Sequence, residues 1–535
     1  MLSKKLFLKS ALIITLATLL SKVLGLVRQQ YSIYLFGGGW EFDSFVAAFR
    51  IPNALRELLA EGALSAAFIP LFSAILVRDG KKEAFQFANK VLNIAIILTL
   101  SVSVIGVLIS DFFMSYYHTN PEFLMATPLA SELFNIMMFF LPFISLSALM
   151  MGMLNSMNKF TIPALGPFFS NVTFLLFLFF SYEYLGIQSL GYAIIAGGMT
   201  YFAIQIPSIY KSGFRFSFTT SFKDKYIQEF FLLFVPFALA MGVPKLNNIL
   251  SNIFSDEITG GNTALSQGFF IVQLPLSVFV AGISMVSLPN MSKYFENGDI
   301  DNLKNLVLMG LRMVTFFTLP SVIGLMVLDH EIARFIYSDV LMIFSGGSRG
   351  KIDDVVIQNI SLSQYFFAPG IISMGLSIIF IRAFQSMKDM KILILSGLAS
   401  VALHLVLMKV FVDYFGWSFG GIALSITLSS FFDLSLLIVI FLKKLGRLPF
   451  KKTAISIFKM ILSGIAMGAV ILLFKQFVPN WKIIDIHYID NIINTMILII
   501  SGMIVYLLTL LLVKEEEFHS IYRRVVDKFL PKKKN

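Results

Sequence analysis

Apolar residues along this chain come in long runs. A helix needs about 20 predominantly apolar residues to cross the hydrocarbon core of a bilayer. Fourteen runs meet that need, at about 11–35, 42–77, 88–110, 133–157, 160–182, 187–210, 228–252, 262–292, 306–328, 360–384, 392–413, 418–441, 455–477 and 491–513. The second is long and interrupted by prolines. Backbone polar groups in lipid must be satisfied within the segment, so such runs become helices. The pattern predicts an all-α polytopic membrane protein of about 14 transmembrane helices. The first run is not read as a cleaved signal, because it is long, carries Lys22 and Arg28, and ends without a small-residue cleavage site.

The polar segments between the runs test this count. An even number of spans puts both termini on one side. With that side taken as the cytoplasm, 30 of the 42 Lys and Arg residues fall on inside segments, five fall on outside loops and seven lie within spans. Cytoplasmic loops attract this excess of basic residues, so the sixfold bias supports fourteen spans with both ends inside. The same bias accounts for the net charge of +11 without a nucleic-acid partner.

Composition agrees. Hydrophobic residues make up 57% and charged residues 14%, against about 45–50% and about 25% in soluble domains. There is no cysteine, which removes disulfides and thiolate chemistry. Five single histidines, at 118, 330, 404, 487 and 519, offer no metal-ligand spacing, so no metal site is expected. The longest outside loop carries Ser345-Gly-Gly-Ser-Arg-Gly-Lys351. It lacks the first Gly and the Ser/Thr of a phosphate loop and is read as a flexible turn, so no cofactor and no ATP engine are expected.

The second span contains Phe49-Arg-Ile-Pro52, Glu61-Gly62 and Phe68-Ile-Pro70, while the eighth contains Val272-Gln-Leu-Pro275, Ala281-Gly282 and Ser287-Leu-Pro289. Paired breaks in corresponding spans of two halves point to a transporter binding site. Six spans of offset keep the orientation, so the repeat axis would run along the membrane normal.

Charge inside the bilayer is costly, at about 2.5–3.5 kcal/mol per residue at a helix centre. The seven intramembrane cations are Lys22, Arg28, Arg50, Arg56, Lys245, Arg382 and Lys409. Arg382 and Lys409 lie near span ends and are read as snorkelling. Lys22, Arg28 and Arg56 are read as lining a cavity. At 100° per residue, Ser21, Lys22, Gly25, Arg28 and Gln29 share one face of the first span. Asn53, Arg56, Glu57, Ala60 and Glu61 cluster likewise in the second. Glu57 and Glu61 either orient the arginines or contact the ligand, and Asp43 is either a gate residue or an interfacial cap. Arginine's planar fork and lysine's point charge suit phosphate, so an anion is the expected guest.

Several stretches carry a family resemblance. They are Ser21-Lys-Val-Leu-Gly-Leu-Val-Arg28, Phe36-Gly37, Asp43, Ala48-Phe-Arg-Ile-Pro-Asn-Ala-Leu-Arg56 and Ala60-Glu-Gly-Ala-Leu-Ser-Ala-Ala-Phe-Ile-Pro70. Asn155-Ser-Met-Asn-Lys-Phe-Thr-Ile-Pro-Ala164, Leu288-Pro-Asn-Met-Ser-Lys293 and Arg382-Ala-Phe-Gln-Ser-Met-Lys-Asp389 add to them. Over essentially its whole length the chain resembles the MurJ/MviN lipid II flippases of the multidrug/oligosaccharidyl-lipid/polysaccharide exporter superfamily. The resemblance implies two six-helix lobes, here 1–220 and 221–452, then two further helices and a basic cytoplasmic tail at 453–535. It implies movement of lipid-linked peptidoglycan precursor from the inner to the outer leaflet of the bacterial cytoplasmic membrane. The family's site maps onto Arg28 and Arg56, with Ser21, Asp43, Asn53 and Glu61 beside them, and spans 455–477 and 491–513 match the pair that forms a groove for the polyprenyl tail.

The chain also departs from the family. Lys22 stands where an Arg is usual, Gln29 where an Asp is common, and Phe270 where the eighth span often has Arg. Lys245 lies at a depth similar to Phe270, about 10 Å against about 12 Å from the outer ends of their spans at 1.5 Å per residue, and either restores that cation or snorkels outward. The partners expected are lipid II and membrane lipids, with the protein working as a monomer. Another exporter of the superfamily, such as an O-antigen flippase or a drug–cation antiporter, and a non-transporting scaffold remain the alternatives.

Overall fold

A computed structural model describes residues 4–58, 64–117, 126–157, 159–221, 223–255, 260–348, 350–478, 481, 483–516 and 518–519; among them no strand occurs. The chain divides into two compact units, Met1–Asn262 and Thr263–Asn535.

The first unit contains α1 (Lys4–Phe36), α2 (Trp40–Arg56), α3 (Leu64–Arg78), α4 (Gly80–Leu108), α5 (Ser110–Tyr117), α6 (Ala126–Met138), α7 (Phe140–Ser156), α8 (Thr161–Leu185), α9 (Gln188–Ala203), α10 (Ile206–Lys211) and α11 (Lys225–Ser255). α1 packs on α8, α8 on α9, α2 on α6, and α3, α4, α7 and α11 on one another. This last group encloses a core of Phe68, Phe72, Phe87, Leu149, Met153 and Phe230, with Phe68 stacked between Phe72 and Phe87 at centroid distances of 5.3 and 5.6 Å. Lipid is as apolar as these side chains, so close packing rather than water exclusion holds the helices together.

The segment following α10 is fastened to α4 by two asparagines one helical turn apart. Asn89 donates to Arg215 O at 3.0 Å and accepts from Ser217 N at 3.0 Å, while Asn93 donates to Ser217 O at 2.8 Å and Thr219 O at 2.9 Å. Asp224 then caps α11, accepting from Tyr226 N at 2.9 Å and Ile227 N at 3.4 Å, with Lys90 Nζ 2.6 Å away. Burial alone pushes this carboxyl up, but Lys90 and the two amides hold it below its ordinary value. α11, which the sequence reading assigns to the second lobe, thus packs within the first compact unit.

In the second unit follow α12 (Gly261–Pro275), whose first two residues precede the boundary, then α13 (Ala281–Glu296), α14 (Ile300–Val327), α15 (Asp329–Arg334), α16 (Val340–Phe344), α17 (Asp354–Phe367), α18 (Gly370–Ser386), α19 (Met390–Lys409), α20 (Phe419–Leu445), α21 (Lys451–Lys475) and α22 (His487–Leu512). A π-turn over Leu276–Val280 joins α12 to α13 directly after Pro275. Proline lacks the N–H that would continue the ladder, and the wider π winding absorbs the mismatch. Glu57 and Leu58, after the Pro52 of the second predicted span, also wind as π, so both members of the sequence echo are irregular in the same way.

One core in this unit joins α13, α14, α18 and α20. A second joins α14 to α21 and α22 through Phe316, Met460, Met467, Ile471 and Tyr506. Gly464 lets α21 approach α14 closely: a Cβ there would meet Ile323 Cδ1 at 2.5 Å. Arg382 differs from its reading as a snorkelling cation. Its Nε donates to Ser284 Oγ of α13 at 2.6 Å and its Nη1 to Gln385 Oε1 at 2.8 Å, so it ties two helices together. Lys409, at the exposed end of α19, fits the snorkelling reading.

Ten helices among the described residues are long and apolar enough to cross a membrane. α17 and α18, bent by 46° at their junction, make an eleventh if taken as one span. Three predicted spans, 11–35, 42–77 and 228–252, coincide with α1, with α2 and α3, and with α11, each of which includes or adjoins residues outside the described set. The established architecture is therefore an all-helical integral membrane protein of ten or eleven described spans; fourteen remains the sequence expectation.

Candidate functional site

The charged faces read from the first two spans meet in the first unit. Arg28 of α1 and Arg56 of α2 line one cavity of about 220 Å³ together with Asn53, Asn171, Phe174 and Tyr201. α1 brings Arg28 there by packing along α8; Asn171 Nδ2 donates to the backbone oxygen of Ser21, about two turns before Arg28, at 3.1 Å. Gly25 lies between, where an added Cβ would meet only Asn171 Nδ2, at 3.8 Å.

Arg28 is held by an aromatic ring. Its Cζ lies 5.1 Å from the centroid of Phe174, which is 3% exposed. A guanidinium over a desolvated ring gains about 2 kcal/mol from the quadrupole without losing its charge. Among the described residues no carboxylate pairs with Arg28, and the charge acting on it is the like charge of Arg56. Two guanidinium groups that repel each other across a small cavity form a site for an anion.

Arg56 is oriented by its own helix. Its Nε donates to Asn53 Oδ1 at 3.0 Å, Asn53 Nδ2 donates to Glu57 Oε1 at 3.1 Å, and Arg56 Nη2 lies 3.6 Å from the same oxygen. Glu57 thus serves the orienting role that the sequence left open. Asn53 lies one turn before both Arg56 and Glu57, the spacing at which helix side chains touch.

The other predicted residues lie elsewhere. Lys22 is half-buried on α1, outside the cavity lining. Ser21 contributes its backbone oxygen rather than its hydroxyl. Asp43, 5% exposed, accepts from Gly260 N, just before α12, at 2.6 Å. Glu61, and the side chain of Lys245, lie outside the described residues. Phe270 is half-buried on α12 of the second unit.

Sequence reasoning missed the cavity's far wall. Ser170, Asn171 and Phe174 on α8 and Tyr201 on α9 carry no charge. The signal available was a polar patch, Ser170-Asn171, three residues after Pro167 in an apolar run, opposite Gly197-Gly198. Gly197 packs so tightly on Ser170 that a Cβ would lie 2.9 Å from its Oγ and 3.0 Å from its carbonyl oxygen.

A many-span, all-helical chain with breaks at matching places in two halves and a cationic intramembrane cavity belongs, by class, with the membrane transporters. The MurJ family profile, described as lipid II flippase MurJ, matches residues 33–490, so the chain belongs to the MurJ family. It is 28% identical over 511 residues to the "Probable lipid II flippase MurJ" of Buchnera aphidicola subsp. Schizaphis graminum, covering 94% of this chain and 96% of that one. To the protein of the same description from Vibrio cholerae serotype O1 it is 29% identical over 448 residues, covering 81% and 82%. The solved structure "Lipid II flippase MurJ, inward closed conformation" superposes with a TM-score of 0.75 at 24% identity, covering 96% of this chain and 99% of that one. An inward-facing multidrug resistance MATE family transporter superposes at 0.68 with 12% identity over 79% of this chain and 94% of its own. These last two likenesses show the fold.

Proposed function

We propose that the protein is a lipid II flippase of the bacterial cytoplasmic membrane, moving the peptidoglycan precursor from the inner to the outer leaflet by alternating access. The observation that carries this reading is Arg28: a guanidinium within the membrane, seated on Phe174, facing Arg56 and paired with no carboxylate among the described residues. Such a charge is unfavourable in hydrocarbon and becomes favourable when a diphosphate arrives.

In this reading Arg28 and Arg56 bind the diphosphate. Asn53 orients Arg56 by accepting from its Nε. Asn171 and Tyr201 offer neutral polar groups to the adjoining sugar. Lys22, Ser21, Asp43, Glu61 and Lys245 retain the supporting places the family pattern gives them, and Lys245 supplies the cation absent at Phe270. The lobes are 1–220 and 221–452, both termini are cytoplasmic, and the polyprenyl tail follows α21 and α22. Membrane potential helps reset the cycle, since each charge crossing the bilayer gains about 2.3 kcal/mol per 100 mV. Cell-wall synthesis is the process served.

The test is complementation of a flippase-depleted bacterium. The native chain restores growth, while Arg28→Ala and Arg56→Ala at equal expression do not. Wild-type rescue by Arg28→Ala would overturn the reading, and drug resistance without rescue would favour a drug exporter.

A further inference from the structure

The flippase chemistry above leaves one cation of the second unit unused. Arg382 lies on α18, which ends at Ser386, about 6 Å further on at 1.5 Å per residue. The headgroup layer on each side of a bilayer is about 5–8 Å deep. The guanidinium is therefore level with the lipid phosphates, on the side where the Lys and Arg pattern puts the cytoplasm.

A snorkelling arginine lays its stem along apolar surface and leaves its head in water. Arg382 is instead half-buried and held at two points. Its Nε donates to Ser284 Oγ of α13 at 2.6 Å, and Ser284 is 2% exposed. Its Nη1 donates to Gln385 Oε1, one turn along its own helix, at 2.8 Å. Both acceptors are neutral. Among the described residues no carboxylate pairs with Arg382 and no charged group acts on it. Nη2 bonds to no described residue and is not buried, so one prong of the fork stays open.

The surroundings do not cancel the charge either. At this end of the second unit Lys293, Lys388 and Lys391 are exposed against one exposed acid, Glu296, while Asp389 is paired with Lys444. Ser284 belongs to α13, which begins directly after the π-turn at Leu276–Val280, whereas Phe270 lies on α12 before it. The second unit thus carries an uncancelled cation beyond the break rather than before it. A guanidinium fixed by neutral groups and open at one prong suits a phosphate oxygen, which it holds through charge-assisted hydrogen bonds.

We propose that Arg382, oriented by Ser284 and Gln385, is a second phosphate site that binds the phosphate group of a membrane lipid at the inner interface. An isoprenyl diphosphate is the carrier expected, and only that choice rests on the flippase reading; a phosphoglyceride offers the same chemistry.

Native mass spectrometry of the full-length protein in detergent tests it, by titration with farnesyl diphosphate, farnesol or dioctanoyl phosphatidylglycerol. Wild type should bind two farnesyl diphosphates, one at Arg28 and Arg56 and one at Arg382, and no farnesol at the same concentrations. Arg382→Gln should weaken the second event about tenfold or more, the effect of losing a hydrogen-bonded charge. Arg382→Lys keeps the charge without the fork and should fall between the two. Ser284→Ala keeps the guanidinium but loosens it, and should weaken the same event about threefold. Phosphatidylglycerol that displaces this farnesyl diphosphate makes the site one for lipid phosphates at large, and failure to displace it makes the site selective for the diphosphate; both support the site. The proposal is overturned if Arg382→Gln binds as wild type does, if farnesol binds equally, or, should Arg382→Gln fail to fold, if Arg382→Lys and Ser284→Ala both bind as wild type does. The paired substitution Arg28→Ala with Arg56→Ala should remove only the other event, so failure of the flippase reading and failure of this site appear in different variants.

Discussion

At the scale of single residues, the site depends on how a positive charge is kept in an apolar place without being cancelled. Arg56 is partly neutralised by Glu57, 3.6 Å away, whereas Arg28 rests on the ring of Phe174. A ring stabilises a cation but leaves it able to attract an anion; a carboxylate would compete with the anion. This gives a prediction that separates packing from electrostatics. Phe174→Leu keeps most of the buried volume, so its packing cost stays below about 1.5 kcal/mol. It removes an interaction worth about 1–2 kcal/mol when desolvated. Lipid II binding by the purified protein should weaken about five- to thirtyfold, while Phe174→Trp, which keeps the π face, binds within about threefold of wild type. Equal binding by wild type and Phe174→Leu would reduce the ring to a packing residue.

At the scale of elements, the cavity wall depends on how closely α8 and α9 approach. Gly197 sits against the Ser170 backbone, and α8 presents Asn171 beside it and Phe174 from the next turn. Adding a methyl group at 197 forces the helices apart or twists Ser170. Gly197→Ala should therefore lower stability by about 1–3 kcal/mol, the usual cost of overpacking. Gly25→Ala is the control. Its new methyl group meets only Asn171 Nδ2, at ordinary contact distance, and alanine is better than glycine in a helix by about 1 kcal/mol. Thermal unfolding in detergent should give a lower midpoint for the first and an unchanged or higher one for the second. A midpoint for Gly197→Ala at or above wild type would show that the close approach is not required.

At the scale of the whole molecule, the sequence reveals most where one physical demand dominates. Bilayer thickness sets helix length, so the predicted spans 160–182, 418–441 and 491–513 match α8, α20 and α22, each overrunning its helix by a single residue. Charge in hydrocarbon is conspicuous, so Arg28 and Arg56 were visible before the cavity that joins them. The neutral wall was not, because Ser170, Asn171, Phe174 and Tyr201 look in one dimension like ordinary members of apolar helices. The π-turn after Pro275 was legible as a break but not as a winding. Orientation is the remaining large-scale question, and the absence of cysteine makes it directly testable. Single cysteines label on a silent background. Ser348 lies exposed in the loop assigned to the outside and Thr220 exposed in the loop assigned to the cytoplasm. The 30-to-5 partition of Lys and Arg predicts that Ser348→Cys reacts with a membrane-impermeant maleimide in intact spheroplasts. Thr220→Cys should react only after permeabilisation. Because the two loops are separated by spans seven to nine, opposite accessibility requires an odd number of crossings between residues 220 and 348. The same accessibility at both positions would refute that parity, and the reverse pattern would invert the protein in the membrane.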